Sequence, residues 1–278
     1  MEDQCRIVSR NADGRFRVLQ ITDTHLFAEA DGDLLGVKTA QSFAAVLEEI
    51  QRQAIAFDFV LMTGDISQDY SVESYQRFAK MVKCLNKPVF FLPGNHDDGP
   101  LMYRIFNNLG VSTCRSIICG QWLFVMLNSE VYGVAHGWVQ RDQLDYAERC
   151  IHEHPHLHAV VCIHHLPLLV GSYWLDTQTL HNQDEFQVFI HRFPSVKMVL
   201  SGHVHQEVDE LRQNIRYIAT PSTSIQFVPK SQDFALDCKG PGWRYFSFNP
   251  DGSFETLVCR LNTDAFHPRM DVGGYWCS

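Results

Sequence analysis

VFFLPGNHDDGP, residues 89–100, sets a buried strand against a polar cluster. Residues 89–92 form an unbroken apolar run of the kind that packs inside a sheet. The run stops at Pro93 and Gly94. An amide, an imidazole and two carboxylates follow: Asn95, His96, Asp97 and Asp98. A strand built to be buried therefore delivers groups that need hydrogen bonds or a cation once they leave water.

The same pattern recurs along the chain. RVLQIT (17–22), DFVLMTG (58–64), PVFFLPG (88–94), HAVVCIHH (158–165) and VKMVLSGH (196–203) read as strands. SIIC (116–119) and WLFVMLNS (122–129) add two more. FAAVLEEI (43–50) has its apolar residues at helical spacing. Ser71 is expected to cap a helix whose face is Tyr75, Phe78, Ala79 and Val82, and a further helix is expected near 140–152. ELRQNIRYIATPS and WRYFSFNPDGSFETLVCRL read as hairpins, the second turning at Asn249-Pro250-Asp251-Gly252. Strand–helix units come first and β-rich segments later. This order predicts an α/β fold in which two sheets pack together with helices outside. One domain is expected over 1–278, with a short irregular tail from about 265. In such folds ligands gather beyond the carboxyl ends of the strands.

The 278 residues are enough for a sizeable core, and the formal charge of −9 argues against a sequence-independent grip on nucleic acid. Residues 1–15 are polar, so no leader is expected, and no apolar run approaches a membrane span. The nine cysteines are odd in number, irregularly spaced and without a Cys-x-x-Cys pair. They are expected to be the reduced thiols of a cytoplasmic protein.

Five polar clusters follow five apolar runs: Asp23-Thr24-His25, Gly64-Asp65, Gly94-Asn95-His96-Asp97, His164-His165 and Gly202-His203-Val204-His205. Taken singly, Asp-x-His is common, Gly-Asp is mostly a turn signal, and His-x-His also occurs on solvated surfaces. Together, at successive strand ends, they supply carboxylate, imidazole and amide donors with no thiolate. That donor set suits manganese, iron or zinc. It exceeds what one ion needs, and a lone carboxylate such as Asp65 can bridge two.

These clusters resemble the signature of the calcineurin-like metallophosphoesterases, D-x-H, G-D, G-N-H-D/E, H and G-H-x-H, over residues 16–262. The whole chain is similar, more narrowly, to the bacterial class III cyclic-AMP phosphodiesterases. ITDTHLF (21–27), TGDISQD (63–69), LPGNHD (92–97), SYWLD (172–176), GHVHQE (202–207), ATPSTSIQF (219–227) and PGWR (241–244) carry that match. The resemblance implies a four-layer sandwich of two mixed sheets flanked by helices. It implies two divalent ions, by family habit iron and manganese, with manganese, zinc or cobalt able to substitute. Asp23, His25 and His205 would hold the first, Asn95, His164 and His203 the second, and Asp65 both. His164 is preferred to His165 because the family ligand opens the His-His pair two to three residues before a proline, here Pro167, and in a strand only one of two adjacent rings can reach the ions. The implied reaction is hydrolysis of 3′,5′-cyclic AMP to 5′-AMP by water activated between the ions. His25, Asp65, Asn95, His96 and His205 would meet the substrate. His96 would serve the leaving oxygen and Asp97 would accept a hydrogen bond from its ring. Asp98 is expected to be a solvated turn residue.

Phe27, Tyr173, Trp174 and Phe227 are candidates to stack on the base, His136 and His181 to meet phosphate or ribose, and Asn182 and Glu185 to order a lid. Asn128 stands where relatives commonly carry aspartate. Expected partners are a small cyclic nucleotide, no nucleic acid and no membrane, in a monomer or homodimer. The alternatives are a broader phosphodiesterase acting on 2′,3′-cyclic nucleotides or glycerophosphodiesters, and a metal-loaded binding protein.

Overall fold

Strands buried on both faces send alternate side chains into two different cores, and this sorting builds the layers. In the computed structural model, which describes residues 3–9 and 11–270, the strand Phe16–Ile21 puts Phe16 and Val18 into one cluster and Leu19 and Ile21 into another. The strand Phe59–Met62 divides likewise, Phe59 and Leu61 against Val60 and Met62. The shared cluster lies between two sheets and is rich in aromatics, including Phe16, Phe59, Trp122, Phe124 and Phe248.

One sheet has five strands, in the order Phe254–Arg260, Gly242–Phe248, Phe16–Ile21, Phe59–Met62 and Val89–Phe91. The other has seven, in the order Gln4–Ile7, Ser116–Cys119, Trp122–Met126, His158–Cys162, Val196–Ser201, Ile215–Ala219 and Val208–Arg212. Both mix parallel and antiparallel pairs. Helices Thr39–Gln53, Val72–Val82 and Gly99–Phe106 cover the first sheet with Phe43, Val46, Tyr75, Phe78, Met102 and Phe106. Helices Arg141–Glu153 and Gln183–Ile190 cover the second with Leu144, Ile151, Phe186 and Ile190. The result is the expected four-layer sandwich. Ser71 caps its helix as expected, accepting from the backbone N–H of Ser74.

Three local expectations are corrected. Asp98 is no solvated turn residue: it caps the helix Gly99–Phe106, accepting from the backbone N–H of Leu101 at 2.9 Å. The strand Gln4–Ile7, too polar to read from sequence, pairs in parallel with Ser116–Cys119. That pairing brings Cys5 and Cys114 to a Cα–Cα distance of 6.0 Å, within the reach of a bridge, and they form a disulfide where reduced thiols were expected. Of the tail, residues 265–270 include a turn whose Arg269 N–H bonds to the Leu35 carbonyl. Residues 271–278 lie outside the described residues. Among the described residues no helix is long and apolar enough to cross a membrane.

Candidate metal centre

The polar clusters meet where the carboxyl ends of the two sheets converge, and the main chain ties them together. Asp23 N–H bonds to Gly64 O, His25 N–H to Asp65 O, and Gly202 N–H to His164 O, at 3.0–3.1 Å. Asp23, His25, Asp65, His203 and His205 all take the left-handed backbone conformation, with φ between 46° and 68°. L-residues avoid that region unless their surroundings hold them there. Gly94 is required by proximity, since a Cβ there would lie 2.1 Å from Asp65 Oδ1.

In three histidines one ring nitrogen is tied to a backbone carbonyl, which leaves the opposite one as the nitrogen that could serve a metal. His164 Nδ1 bonds to Thr63 O at 2.7 Å, His205 Nδ1 to Ile225 O at 2.9 Å, and His203 Nε2 to Gln178 O at 2.9 Å. A carbonyl can only accept, so each bonded nitrogen carries a proton, and the opposite nitrogen is the one whose lone pair could serve a metal. His205 Nε2 lies 3.3 Å from Asp23 Oδ1 and 3.1 Å from His25 Nε2. His164 Nε2 lies 3.2 Å from Asn95 Oδ1 and 3.3 Å from Asp65 Oδ2. Buried His25 Nδ1 has no hydrogen-bond partner among the described residues. Potential donor atoms of Asp23, His25 and His205 lie within 4.8 Å of one another, as do those of Asp23, Asp65 and His164. All seven expected ligands are thus brought to one buried place, and this donor set fits divalent cations.

The electrostatics divide the histidines. Burial alone would lower His164, but Asp65 beside it raises the imidazole to about 9. Burial would raise Asp65, yet His164, His96 and His25 hold it well below the carboxylate range. Burial, aided by His164, lowers His203 to about 3. A proton on His164 holds the place that a metal ion would take, and loading would release it.

The sequence profile of the calcineurin-like phosphoesterases matches residues 16–207. The chain belongs to that family. It is 44% identical over 265 residues to the 3′,5′-cyclic adenosine monophosphate phosphodiesterase CpdA of Vibrio vulnificus (strain CMCP6), covering 95% of this chain and 97% of that one. It is 42% identical over 264 residues to the protein of the same name from Escherichia coli (strain K12), covering 95% and 96%. Among solved structures, a dimetal phosphatase from Danio rerio shares the fold at a TM-score of 0.61 and 13% identity, covering 88% of this chain and 98% of that one. Members of this family use a binuclear metal centre, which agrees with the donor clusters.

Beneath the candidate ligands of this phosphoesterase runs a polar network that sequence reading did not find. The Gln20 amide donates to Thr63 Oγ1 and to Ser201 O, both at 2.9 Å, and accepts from Thr220 Oγ1. It thereby joins the segments that end in Asp23, Asp65 and His203. Thr220 in turn accepts from Arg244 Nε at 3.1 Å. Burial lowers the Arg244 guanidinium to about 10, and its other donors reach Ala219 O and Thr256 Oγ1. An apolar run containing one glutamine was the available signal.

Asp97 is occupied by the backbone, accepting from the N–H groups of Gly94, Ile66 and Ser67 at 2.9–3.1 Å. These backbone bonds make Asp97 the brace of this loop. Burial and the charge of Asp65 push its carboxyl to about 7. His96 donates its backbone N–H to Asp65 Oδ1 at 2.8 Å and sets its ring edge-on to His25 at 5.1 Å.

His165 does not point away from the cage, as strand alternation suggested. The strand ends at Cys162, and the ring packs 4.5 Å from that of His203. Both its nitrogens are engaged, with Ser129 Oγ at 2.8 Å and Ala135 O at 3.2 Å. Gly137 packs on this ring, where a Cβ would lie 2.3 Å from Nδ1. His136 and His181 stack on each other at 3.7 Å and 3°. Asn182 clamps Val139 through both its backbone groups and also bonds to Glu185. Asn128 Oδ1 accepts from Glu130 N–H at 2.7 Å and shapes the same loop.

Proposed function

We propose that this phosphoesterase hydrolyses 3′,5′-cyclic AMP to 5′-AMP inside the cell at a centre of two divalent ions. Asp23, His25 and His205 hold one, Asn95, His164 and His203 the other, and Asp65 both. Iron and manganese are the proposed pair, by the habit of the family, and the nitrogen and oxygen donors suit them. The observation that carries this reading is the 44% identity spanning 97% of the V. vulnificus cyclic-AMP phosphodiesterase.

When bound, such ions supply Lewis acidity at phosphorus and make water a nucleophile near neutral pH. The chain supplies the rest. Asp65 uses Oδ1 to fix the His96 backbone and keeps Oδ2 toward His164 and His25. His96, at the edge of the cage, donates a hydrogen bond to a phosphoryl oxygen and a proton to the leaving 3′-oxygen. His25, Asp65, Asn95 and His205 crowd the same oxygens and orient them. Asp97 keeps Asn95 and His96 in place through the loop.

Manganese-supplemented protein incubated with 3′,5′-cyclic AMP should give 5′-AMP, resolved from 3′-AMP by chromatography, and a chelator should abolish it. His96→Ala should lower kcat roughly 10²-fold or more with metal content unchanged. Chelator-resistant turnover, or 3′-AMP as product, would sink the mechanism. Turnover confined to 2′,3′-cyclic nucleotides or glycerophosphodiesters would keep the centre and replace the substrate.

A further inference from the structure

A cyclic nucleotide whose phosphate sits at the cage must place its base on the surrounding rim. Three of the four aromatics expected to receive it are otherwise engaged. Phe227 is buried against the His205 ring at 4.5 Å, and Trp174 packs edge-on to Phe227 and Phe234. Phe27 is packed on the core beside Gly32. Tyr173 is exposed on the short helix Tyr173–Asp176.

A different pair meets the requirement. The Tyr70 hydroxyl donates to the backbone carbonyl of Asn95 at 3.1 Å, which fastens this ring to the loop that carries Asn95 and His96. Tyr70 itself has φ 57°, an unfavourable conformation for a bulky residue, and Asp69 and Ser71 on either side are locked by mutual hydrogen bonds. The Tyr132 ring lies 5.7 Å from that of Tyr70 and is 71% exposed. Its loop is pinned on both sides of the tip. Glu130 accepts from Gly99 N–H, two residues beyond Asp97, and Ala135 O holds His165. The intervening turn is closed by Val134 N–H on Val131 O. An exposed aromatic is thus held beside the loop of Asn95 and His96, its ring tilted by 52° against that of Tyr70.

We propose that Tyr132, buttressed by the tilted ring of Tyr70, forms the base subsite of this enzyme, a platform on which the nucleobase of a cyclic nucleotide stacks while its phosphate occupies the cage. The subsite rests on the reading of the enzyme as a cyclic-nucleotide phosphodiesterase. Every base has a π-face, so such a platform separates nucleotides from diesters without a base far better than it separates adenine from guanine.

The test compares 3′,5′-cyclic AMP with the abasic 3′,5′-cyclic ribose phosphate, which differs only in the missing base. Tyr132 is exposed, so its replacement leaves the core intact. For Tyr132→Ala, the ratio of kcat/KM for cyclic AMP to that for the abasic compound should fall roughly tenfold, the change carried by KM. Tyr132→Phe, which keeps the ring, should restore the wild-type ratio. An unchanged ratio, a loss carried by kcat, or failure of Tyr132→Phe to rescue would overturn the platform. If the wild-type enzyme turns over other diesters but not cyclic AMP, the substrate reading fails first, and that outcome is distinct from an unchanged ratio.

Discussion

The strand ends that carry Asp23, His25, Asp65, His203 and His205 and the loop over residues 129–139 meet at His165, yet they are held in different ways. At the strand ends the main chain does the positioning. Backbone amides bond across strands, and the side chains are 6% exposed or less. Along the loop a few side chains act as pins, Glu130 on Gly99 and Asn182 on Val139, while Tyr132, Val134 and Trp138 stand in solvent. A strand end cannot shift without disturbing two sheets. The loop can change its exposed residues without disturbing either. On the proposed reading the chemistry shared across the family lies in the first region and the choice of substrate in the second.

The largest effect that would sharpen this contrast is expected at Asp65. Asp65→Asn removes the charge facing His164 and His25, and should cost about 10³-fold in kcat/KM at saturating manganese. Metal content measured alongside should fall; a variant with full activity would break the assignment of Asp65. A smaller effect is expected one layer down. Gln20→Leu leaves Thr63, Ser201 and Thr220 without their shared partner, and should lower stability by about 3 kcal/mol in denaturant unfolding. Calorimetric titration should show roughly tenfold weaker manganese binding. Lower stability with undiminished metal affinity would mean that the network serves the fold alone.

The smallest effect lies in the loop. Burial, with the charges of Asp98 and Asp65 adding to it, raises Glu130 from its ordinary value of 4.5 to about 7. Between those values the folded chain holds a proton that the unfolded chain has lost, so stability falls as pH rises through this window and stays lower above it. Glu130→Gln removes that slope. Unfolding free energies of wild type and variant should diverge by on the order of 1–2 kcal/mol between about pH 5 and pH 8, the wild type losing more. Parallel curves would show that Glu130 ionises without cost.

The layered core was legible because strands buried on both faces are unbroken apolar runs, and the site was legible because its groups follow those runs. What was not legible depends on distant pairing or on misread punctuation. Gln4–Ile7 becomes a strand only beside Ser116–Cys119, and Cys5 finds Cys114 only there. Asp98-Gly99-Pro100 reads as a turn, although an acceptor followed by a proline in the first helical turn is also a helix start. The place of His165 depended on where its strand stops, and boundaries are what periodicity fixes least. Tyr70 and Tyr132 sit on different loops, and no local signal joins them.

The left-handed backbone of Asp23, His25, Asp65, His203 and His205 has a consequence for how this protein can be altered. Each such position costs about 1 kcal/mol or more, and five together approach the whole net stability of an ordinary domain. Glycine at any of them would relax the chain while deleting a proposed ligand. A search for heat-resistant variants that ignores turnover should therefore collect inactive glycine substitutions at these five places. Stability and catalysis pull this molecule in opposite directions at the same atoms.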